Sequence, residues 1–235
     1  VREFDSPSTQ WYSIGIKDSD IFKYNEFRHK SGMKPNICID VANGYTDDFV
    51  DFCHRVRRHV SKHTIIMAGN VCTPEMVQEL ILHGGVDIVK IGIGPGSACT
   101  TRLKTGCGYP QLSAIIECSH AAHGLRNGDG RLGLVCADGG CRTPADVCKA
   151  FAAGADFVML GGMLAGTYEC EGDWQYEWLP DGSKMVRKSL KFYGMSSSEA
   201  QSKYGGVKDY RASEGRVKEV PYKGPAKDII LDVLG

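Results

Sequence analysis

Apolar positions along the chain follow two rhythms that alternate. Short, near-continuous apolar runs occur at 11–16 "WYSIGI", 36–42 "NICIDVA", 64–68 "TIIMA", 87–92 "DIVKIG", 132–137 "LGLVCA" and 156–160 "DFVML". Runs of that length and make-up predict strands covered on both faces. Between them, residues 19–29, 47–59, 74–83, 110–123 and 144–153 carry helical spacing. Regular alternation of the two predicts a parallel sheet with right-handed crossovers.

Two stretches repeat each other. "GNVCTPEMVQELILHGGVDIVKIG" begins at Gly69 and "GGCRTPADVCKAFAAGADFVMLG" at Gly139. Both read strand-end glycine, loop, Thr-Pro, helix, Gly, Asp, strand, Gly. Thr73 and Thr143 are expected as N-caps, with Pro74 and Pro144 at the first helical position, where no N–H is needed. Gly84 and Gly154 are expected to stop their helices in the left-handed conformation. Repeated units of this kind predict an α/β fold, a (β/α)8 TIM barrel; a doubly wound open sheet is the alternative. A barrel has eight strands and six are counted here. The reading therefore expects a single barrel domain over 1–235 that lacks its first two βα units, roughly 80–100 residues upstream of Val1.

After Gly162 the pattern changes. "YECEGDWQYEWLPDGSKMVRKSLKFYG" sets two β-prone arms around Pro180-Asp181-Gly182, which predicts a hairpin or flap excursion within 163–195. Trp174 and Trp178 lie in its arms, where they could cover a site or an interface. Ser196 and Glu199 have capping-box spacing for a further helix, and "PAKDIILDVLG" opens an amphipathic one.

Composition narrows the function. Apolar residues make up 42% of 235, which excludes general disorder. Lysine plus arginine equals aspartate plus glutamate, 28 against 28, so there is no electrostatic case for nucleic acid or an anionic membrane as partner. No apolar run has the length of a membrane span, and "VREFDSPST" lacks the basic start and apolar core of a secretory leader. Ten cysteines occur without a C-x-x-C pair, several inside predicted strands or helices. They read as free thiols of a reducing, cytoplasmic compartment, most of them small buried hydrophobes. The basic run "HRVRRHVSKH" reads as a solvated helix face. Cys118, His120 and His123 in "CSHAAH" lack a fourth ligand at fitting spacing, so zinc is not expected.

Cys99 stands apart from the packing cysteines. "GIGPGSACTTR", 92–102, follows a predicted strand and so lies at the mouth of the barrel. Gly92, Gly94 and Gly96 permit unusual backbone angles and Pro95 stiffens the turn. Ser97, Thr100 and Thr101 bring hydroxyls close, and Arg102 or a nest of N–H groups can lower the thiol pKa. That set makes a nucleophile; the bland alternative is a tight turn with an incidental cysteine. The spacing is not G-x-G-x-x-G, and no helix is expected inside it. The next two strands end in Asp138-Gly139-Gly140 and Gly161-Gly162. Paired glycines let backbone N–H groups approach a phosphate, while Asp138 suits a ribose diol. Together these features predict a nucleotide whose base faces Cys99.

"IGIGPGSACTTR", "TGCGYPQLSAIIEC", "ADGGCRTPADVCKAFAAGADFVMLGGMLAG", "FYGMSS" and "YRASEG" resemble the IMP dehydrogenase/GMP reductase family. The likeness runs from about residue 36 to 235; the first 30 residues and 169–189 diverge. It is closer to the reductase branch, because no CBS-like segment and no Arg-Tyr dyad is present, and "CIDVANGY" and "YRASEG" are reductase-like spellings. "NGDGR", 127–131, is an insertion relative to the family pattern, as is the long hairpin.

What the resemblance implies is NADPH-dependent reductive deamination of GMP to IMP and ammonia. Cys99 is implied to form a thioimidate at purine carbon 2, with Thr101 and Glu214 handling protons for the departing amine. Ser97, Asp138, Gly139, Gly140, Gly161 and Gly162 match nucleotide-binding positions, as do Gly194, Met195, Ser196, Arg211, Ala212, Ser213 and Gly215. Asp40, Met195, Tyr210 and Arg211 match cofactor contacts. Carbonyls of Gly94, Gly96 and Cys99, with Arg102 nearby, match a potassium site. A homotetramer is implied. Dehydrogenation of IMP to XMP with NAD, or a non-catalytic nucleotide-binding barrel remnant, are the alternatives.

Overall fold

The computed structural model describes residues 10–127, 130–194 and 215–235. Strand β1 (Trp11–Ile14) leads to helix α1 (Asp18–Ser31), and β2 (Asn36–Asp40) to α2 (Asp47–His59). Next come β3 (Ile66–Val71), α3 (Pro74–Leu82), β4 (Ile88–Ile91), α4 (Thr101–Thr105) and α5 (Gln111–Gly124). A small pair, β5 (Arg126–Asn127) and β6 (Gly130–Arg131), precedes β7 (Leu134–Asp138), α6 (Pro144–Ala152) and β8 (Phe157–Met159). The chain ends with β9 (Trp174–Trp178), β10 (Met185–Tyr193), β11 (Val217–Pro221) and α7 (Ala226–Leu234).

The large sheet has six strands in the order β1-β2-β3-β4-β7-β8. The pairs β1–β2, β2–β3, β3–β4 and β4–β7 are parallel. Strand order follows chain order without a reversal. A doubly wound sheet reverses at its switch point, so the succession is that of part of a (β/α)8 barrel. The apolar runs are explained by burial on both faces: Ile37, Ile39, Ile66, Ile88, Val89, Ile91 and Val135 are wholly enclosed. Helix α2 turns Phe49, Val50, Phe52, Cys53 and Val56 inward, a helical stripe. Its N-cap Thr46 accepts from the Phe49 N–H. Helices α3 and α5 bury Val77, Leu80 and Ile81, and Ala114, Ile115, Cys118 and Ala122.

The two repeated stretches share one device. Asp87 accepts the Ile66 N–H on Oδ2 at 2.8 Å and donates its own N–H to the Ile66 carbonyl at 2.9 Å. Asp156 does the same to Val135, at 2.9 and 3.0 Å. Each aspartate thus closes the start of the neighbouring strand, where ladder groups would otherwise be orphaned. Each also meets a base from a helix, Arg57 of α2 at Asp87 and His123 of α5 at Asp156. Arg57 donates further to the carbonyls of Gly85 and Thr64. The basic run in α2 is therefore not all solvated face. Arg57 is mostly covered because the strand starts need a donor there.

The caps are largely as expected. Thr73 is the N-cap of α3 with Pro74 behind it, but its hydroxyl accepts from Tyr45 rather than from the helix. Thr143 and Asp146 bond reciprocally at the start of α6. Gly154 has φ +101°, as a left-handed stop requires, whereas the corresponding stop after α3 falls on Gly85 (φ +67°) and not on Gly84. The His83 and Gly84 N–H groups both return to the Glu79 carbonyl, and Val86 N–H returns to Leu80, which delays the reversal by one residue. Strand β3 runs past Ala68 to Val71, beyond the expected end. Val41 N–H bonds the Gly69 carbonyl and Asn70 N–H bonds Val41, so the backbone stays paired through the glycine.

Contacts divide the chain into two compact units, 1–93, 109–138 and 150–158 forming one, and 94–108, 139–149 and 159–235 the other. The second contains an antiparallel sheet in the order β11-β10-β9. Pro180-Asp181-Gly182 turns β9 into β10 as the composition predicted, with Gly182 at φ +70° and Asp181 accepting from Ser183. Arg187 lies 4.6 Å from the Trp174 ring and 5.0 Å from that of Tyr168, so Trp174 is committed to packing within this unit. Trp178 is exposed. The third strand, β11, was not anticipated; "VKEVP" sets two adjacent charges between its valines and is mostly exposed. Helix α7 forms where the last apolar run begins. The helix expected from Ser196 and Glu199 lies outside the described residues.

Candidate active site

Cys99 sits between β4 and α4 on a loop tied down at several points. Its N–H closes a turn on the Gly96 carbonyl at 3.0 Å. An antiparallel bridge joins it to Gly215, and the Arg216 N–H donates to the Ala98 carbonyl at 2.8 Å. Lys218 Nζ donates to the Ser97 carbonyl at 2.9 Å. The thiol points at Thr101, with Cys99 Sγ donating to Oγ1 at 3.1 Å. A one-turn helix, α4, opens at Thr101, inside the stretch read as loop. Thr100 supplies the carbonyl for Leu103 and Lys104 N–H, and small polar residues hid that start. Arg102 lies along Gly94 (φ +78°): a Cβ on that glycine would fall 2.6 Å from the Arg102 Cγ.

The other thiols behave as packing groups. Burial pushes Cys53, Cys118 and Cys136 up to about 12, which leaves them protonated and unreactive. Cys99 is only half-buried.

In the same unit, the expected glycine loops close on this nucleophile loop. A Cβ on Gly139 would lie 3.0 Å from Pro95 Cγ and 3.1 Å from Gly96 N, and one on Gly162 would lie 2.8 Å from Ser97 Oγ. Gly194 approaches Ala98 O and Gly215 Cα at 3.4 Å by the same measure. Gly139 and Gly140 both hold positive φ, +90° and +91°. The carbonyls of Gly161, Gly162 and Met163 are taken by Leu164 and Ala165 N–H and by Lys223 Nζ. Space around Gly161 is open, with nothing within 4 Å of a Cβ placed there.

A second cluster belongs to the first unit. Asp138, at the end of β7, accepts on Oδ2 from Asn70 Nδ2 at 2.9 Å, with Lys90 Nζ 3.1 Å away. Lys90 Nζ also reaches Asp40 Oδ1, at the end of β2, at 2.6 Å. The Lys90 side chain is 4% exposed. Burial works against its charge, but the Asp138 and Asp40 carboxylates together outweigh that and hold its pKa above the ordinary lysine value. Gln111 Nε2 donates to the Ile91 and Asp138 carbonyls. Asp40 and Asp138 were expected at a site; Lys90, Asn70 and Gln111 were not. A lysine within "DIVKIG", a strand apolar on both sides, was the legible signal, since a lysine buried there must be paired.

Gly92 packs directly against Asp138 and Gln111, at φ +142°. A Cβ there would meet the Asp138 carbonyl oxygen at 2.3 Å and Gln111 Nε2 at 2.9 Å. Gly92→Ala is expected to destabilise by about 3 kcal/mol or more, combining overpacking with a strained φ. The urea midpoint measures it, and an unchanged midpoint contradicts the geometry.

Glu214, Met195, Ser196, Tyr210, Arg211, Ala212 and Ser213 lie outside the described residues. His123 lies 2.8 Å from Asp156 and Cys118 is enclosed in the core. Among the described residues no group of three or more His, Cys, Asp or Glu is disposed to hold a metal ion, and no helix is long and apolar enough to cross a membrane.

A family model described as IMP dehydrogenase / GMP reductase domain matches residues 14–235. GMP reductase 1 of Homo sapiens is 54% identical over 224 residues, covering 95% of this chain and 61% of its own length. GMP reductase of Aeromonas salmonicida is 54% identical, with 95% and 60% covered, and GMP reductase 2 of Mus musculus is 58% identical with the same coverage. The chain thus spans about three-fifths of the length of these relatives. A solved structure, a cysteine-to-alanine variant of GMP reductase from Trypanosoma brucei in complex with guanosine 5'-monophosphate, superposes with a TM-score of 0.77. It is 34% identical, with 94% of this chain and 43% of that one covered.

Proposed function

The chain belongs to the IMP dehydrogenase/GMP reductase family, and from that footing we propose that it carries the catalytic site of a GMP reductase. The reaction is NADPH-dependent reductive deamination of GMP to IMP and ammonia, in the cytoplasm and within a homotetramer. The observation that carries the reading is the Cys99 thiol bonded to Thr101 on a loop pinned beside Gly215.

Cys99 attacks carbon 2 of the purine. A carbon–sulfur bond forms, the bond to the exocyclic amine breaks, and the thiol proton passes through the Thr101 hydroxyl toward the leaving nitrogen. Glu214, next in sequence to the bridged Gly215, completes that proton route. Ammonia leaves and the nucleotide remains attached as a thioimidate. When bound, a nicotinamide cofactor would supply the hydride for carbon 2, and the Cys99 thiolate is the group that then departs. Splitting one substitution into two lowers each barrel-bound barrier, as covalent catalysis does generally.

Binding follows the glycine loops. Gly139, Gly140, Gly161 and Gly162 offer backbone N–H groups to the phosphate, and Ser97, Gly194 and Gly215 border the same loop. Asp138 takes the ribose hydroxyls. Asp40, with Met195, Tyr210 and Arg211, serves the cofactor. The loop from Gly94 to Cys99 offers backbone carbonyls, the donor set of a hard monovalent cation, and potassium fits it by that chemistry. Met195, Ser196 and Arg211 to Ser213 complete the nucleotide site.

Incubation of the protein with GMP and NADPH, followed through nicotinamide absorbance and ammonia release, is expected to give turnover. IMP with NAD is expected to give XMP at a negligible rate. Turnover only with IMP and NAD reassigns the protein to the dehydrogenase branch, and silence with both pairs supports a non-catalytic binding domain.

A further inference from the structure

Three parallel strands converge on one ammonium. In the sheet register, Asp40 of β2 pairs with Gly69 of β3, and Gly69 with Lys90 of β4. The middle position of this row has no side chain. A Cβ on Gly69 would lie 2.7 Å from the Lys90 Cβ and 2.4 Å from its carbonyl oxygen. The empty position lets the lysine stem cross β3 and reach Asp40. One residue on, the ladder slips: Gly69 faces Lys90 while Val71 faces Ile91, so Asn70 is the extra residue of a β-bulge. Bulges re-aim side chains near sites, and Asn70 is aimed at Asp138 Oδ2 and the Gly92 carbonyl. Asp138 is thereby held by two donors on one oxygen. Asp40, 54% exposed, is held by Lys90.

We propose that Lys90 is a positioning residue that fixes the cofactor-side carboxylate, Asp40, and the ribose-side carboxylate, Asp138, at the same time. This rests on the functional reading given to those two aspartates. A single compact ammonium suits the task, because its donors rotate to serve two separate oxygens, where a guanidinium presents a fixed fork. Without the cation, two carboxylates brought to one point repel each other and turn away. One substitution should therefore weaken two different ligands, each of which is touched by a different aspartate and neither of which is touched by the lysine.

The test uses the intact protein and measures GMP affinity without cofactor, NADPH affinity without GMP, and thermal midpoint. Lys90→Met is expected to weaken both affinities by about tenfold or more, the scale of losing one charge-assisted contact. Asp138→Asn is expected to weaken GMP alone, and Asp40→Asn NADPH alone. Lys90→Arg, which restores the charge, is expected to recover part of both. Lys90→Met with either affinity unchanged, or with a lowered thermal midpoint and both affinities intact, overturns the proposal. Should that variant not fold, Lys90→Met/Asp40→Asn removes one of the two unpaired charges; GMP affinity weakened tenfold supports the role and unchanged affinity overturns it. Unsubstituted protein that binds neither ligand refutes the functional reading itself, a result separate from any obtained with the variants.

Discussion

Cys99→Ala is expected to reduce GMP turnover to background, a fall on the order of 10⁴-fold or more in kcat, while GMP affinity changes by no more than a few-fold. The two effects separate because the loop is held by its backbone. The Gly96–Cys99 turn, the Gly215 bridge and the Arg216 bond to Ala98 all use main-chain groups and survive loss of the thiol. The glycines that face the loop approach it at Pro95, Gly96, Ser97 and Ala98. Single-turnover kinetics with GMP and NADPH, beside calorimetric binding of GMP, measure both quantities. Near-normal NADPH oxidation by the alanine variant sinks covalent catalysis at this residue. Loss of GMP binding equal to the loss of rate shows instead that the cysteine organises the site.

Asp87→Ala is expected to cost about 3–5 kcal/mol of stability, the range for leaving one partner of a covered ion pair uncompensated. Arg57 and Asp87 side chains are 17% and 19% exposed, and the same carboxylate holds the Ile66 N–H. Removal takes the counter-charge from a guanidinium left with carbonyl partners, and strands the Ile66 backbone donor. The surface pair Arg55–Asp18, 55% and 81% exposed, is the control; Asp18→Ala should cost at most about 1 kcal/mol. Urea unfolding of both variants decides the matter. If Asp87→Ala proves as mild as the control, the strand-start clamp contributes nothing.

The periodicity carried most of the barrel because the inner strands β2, β3, β4 and β7 are largely buried and a helix such as α2 shows one apolar stripe. Burial of that kind leaves a direct trace in residue type. Features built from hydrogen bonds left less. The shift of a helix stop from Gly84 to Gly85 depends on which carbonyl two N–H groups choose. Helix α4 is one turn of threonine, arginine, leucine and lysine with no apolar period to mark it. Strand β11 is amphipathic only weakly. At the candidate site, the Cys99 loop stood out because a thiol among glycines and hydroxyls is out of place in a packed core, and the glycine pairs stood out because they recur; both remain proposals as to role. Lys90 was equally visible as a charge in an apolar strand, but its meaning required the register that sets Gly69 beside it. Asn70 gave no such signal, since its direction comes from a bulge.

The aspartate that closes each strand start lies downstream of the strand it serves. Asp87 closes Ile66 and Asp156 closes Val135, with the same separation of 21 residues in both cases. On a ribosome, then, each of these two strands emerges with one amide near its start unanswered. It acquires its partner only when the following helix and the next aspartate have been made. At about 5–20 residues per second, that delay is on the order of one to four seconds. Register at β3 and β7 is in this sense set from behind: each of the two aspartates, on arrival, fixes the alignment of the strand before it.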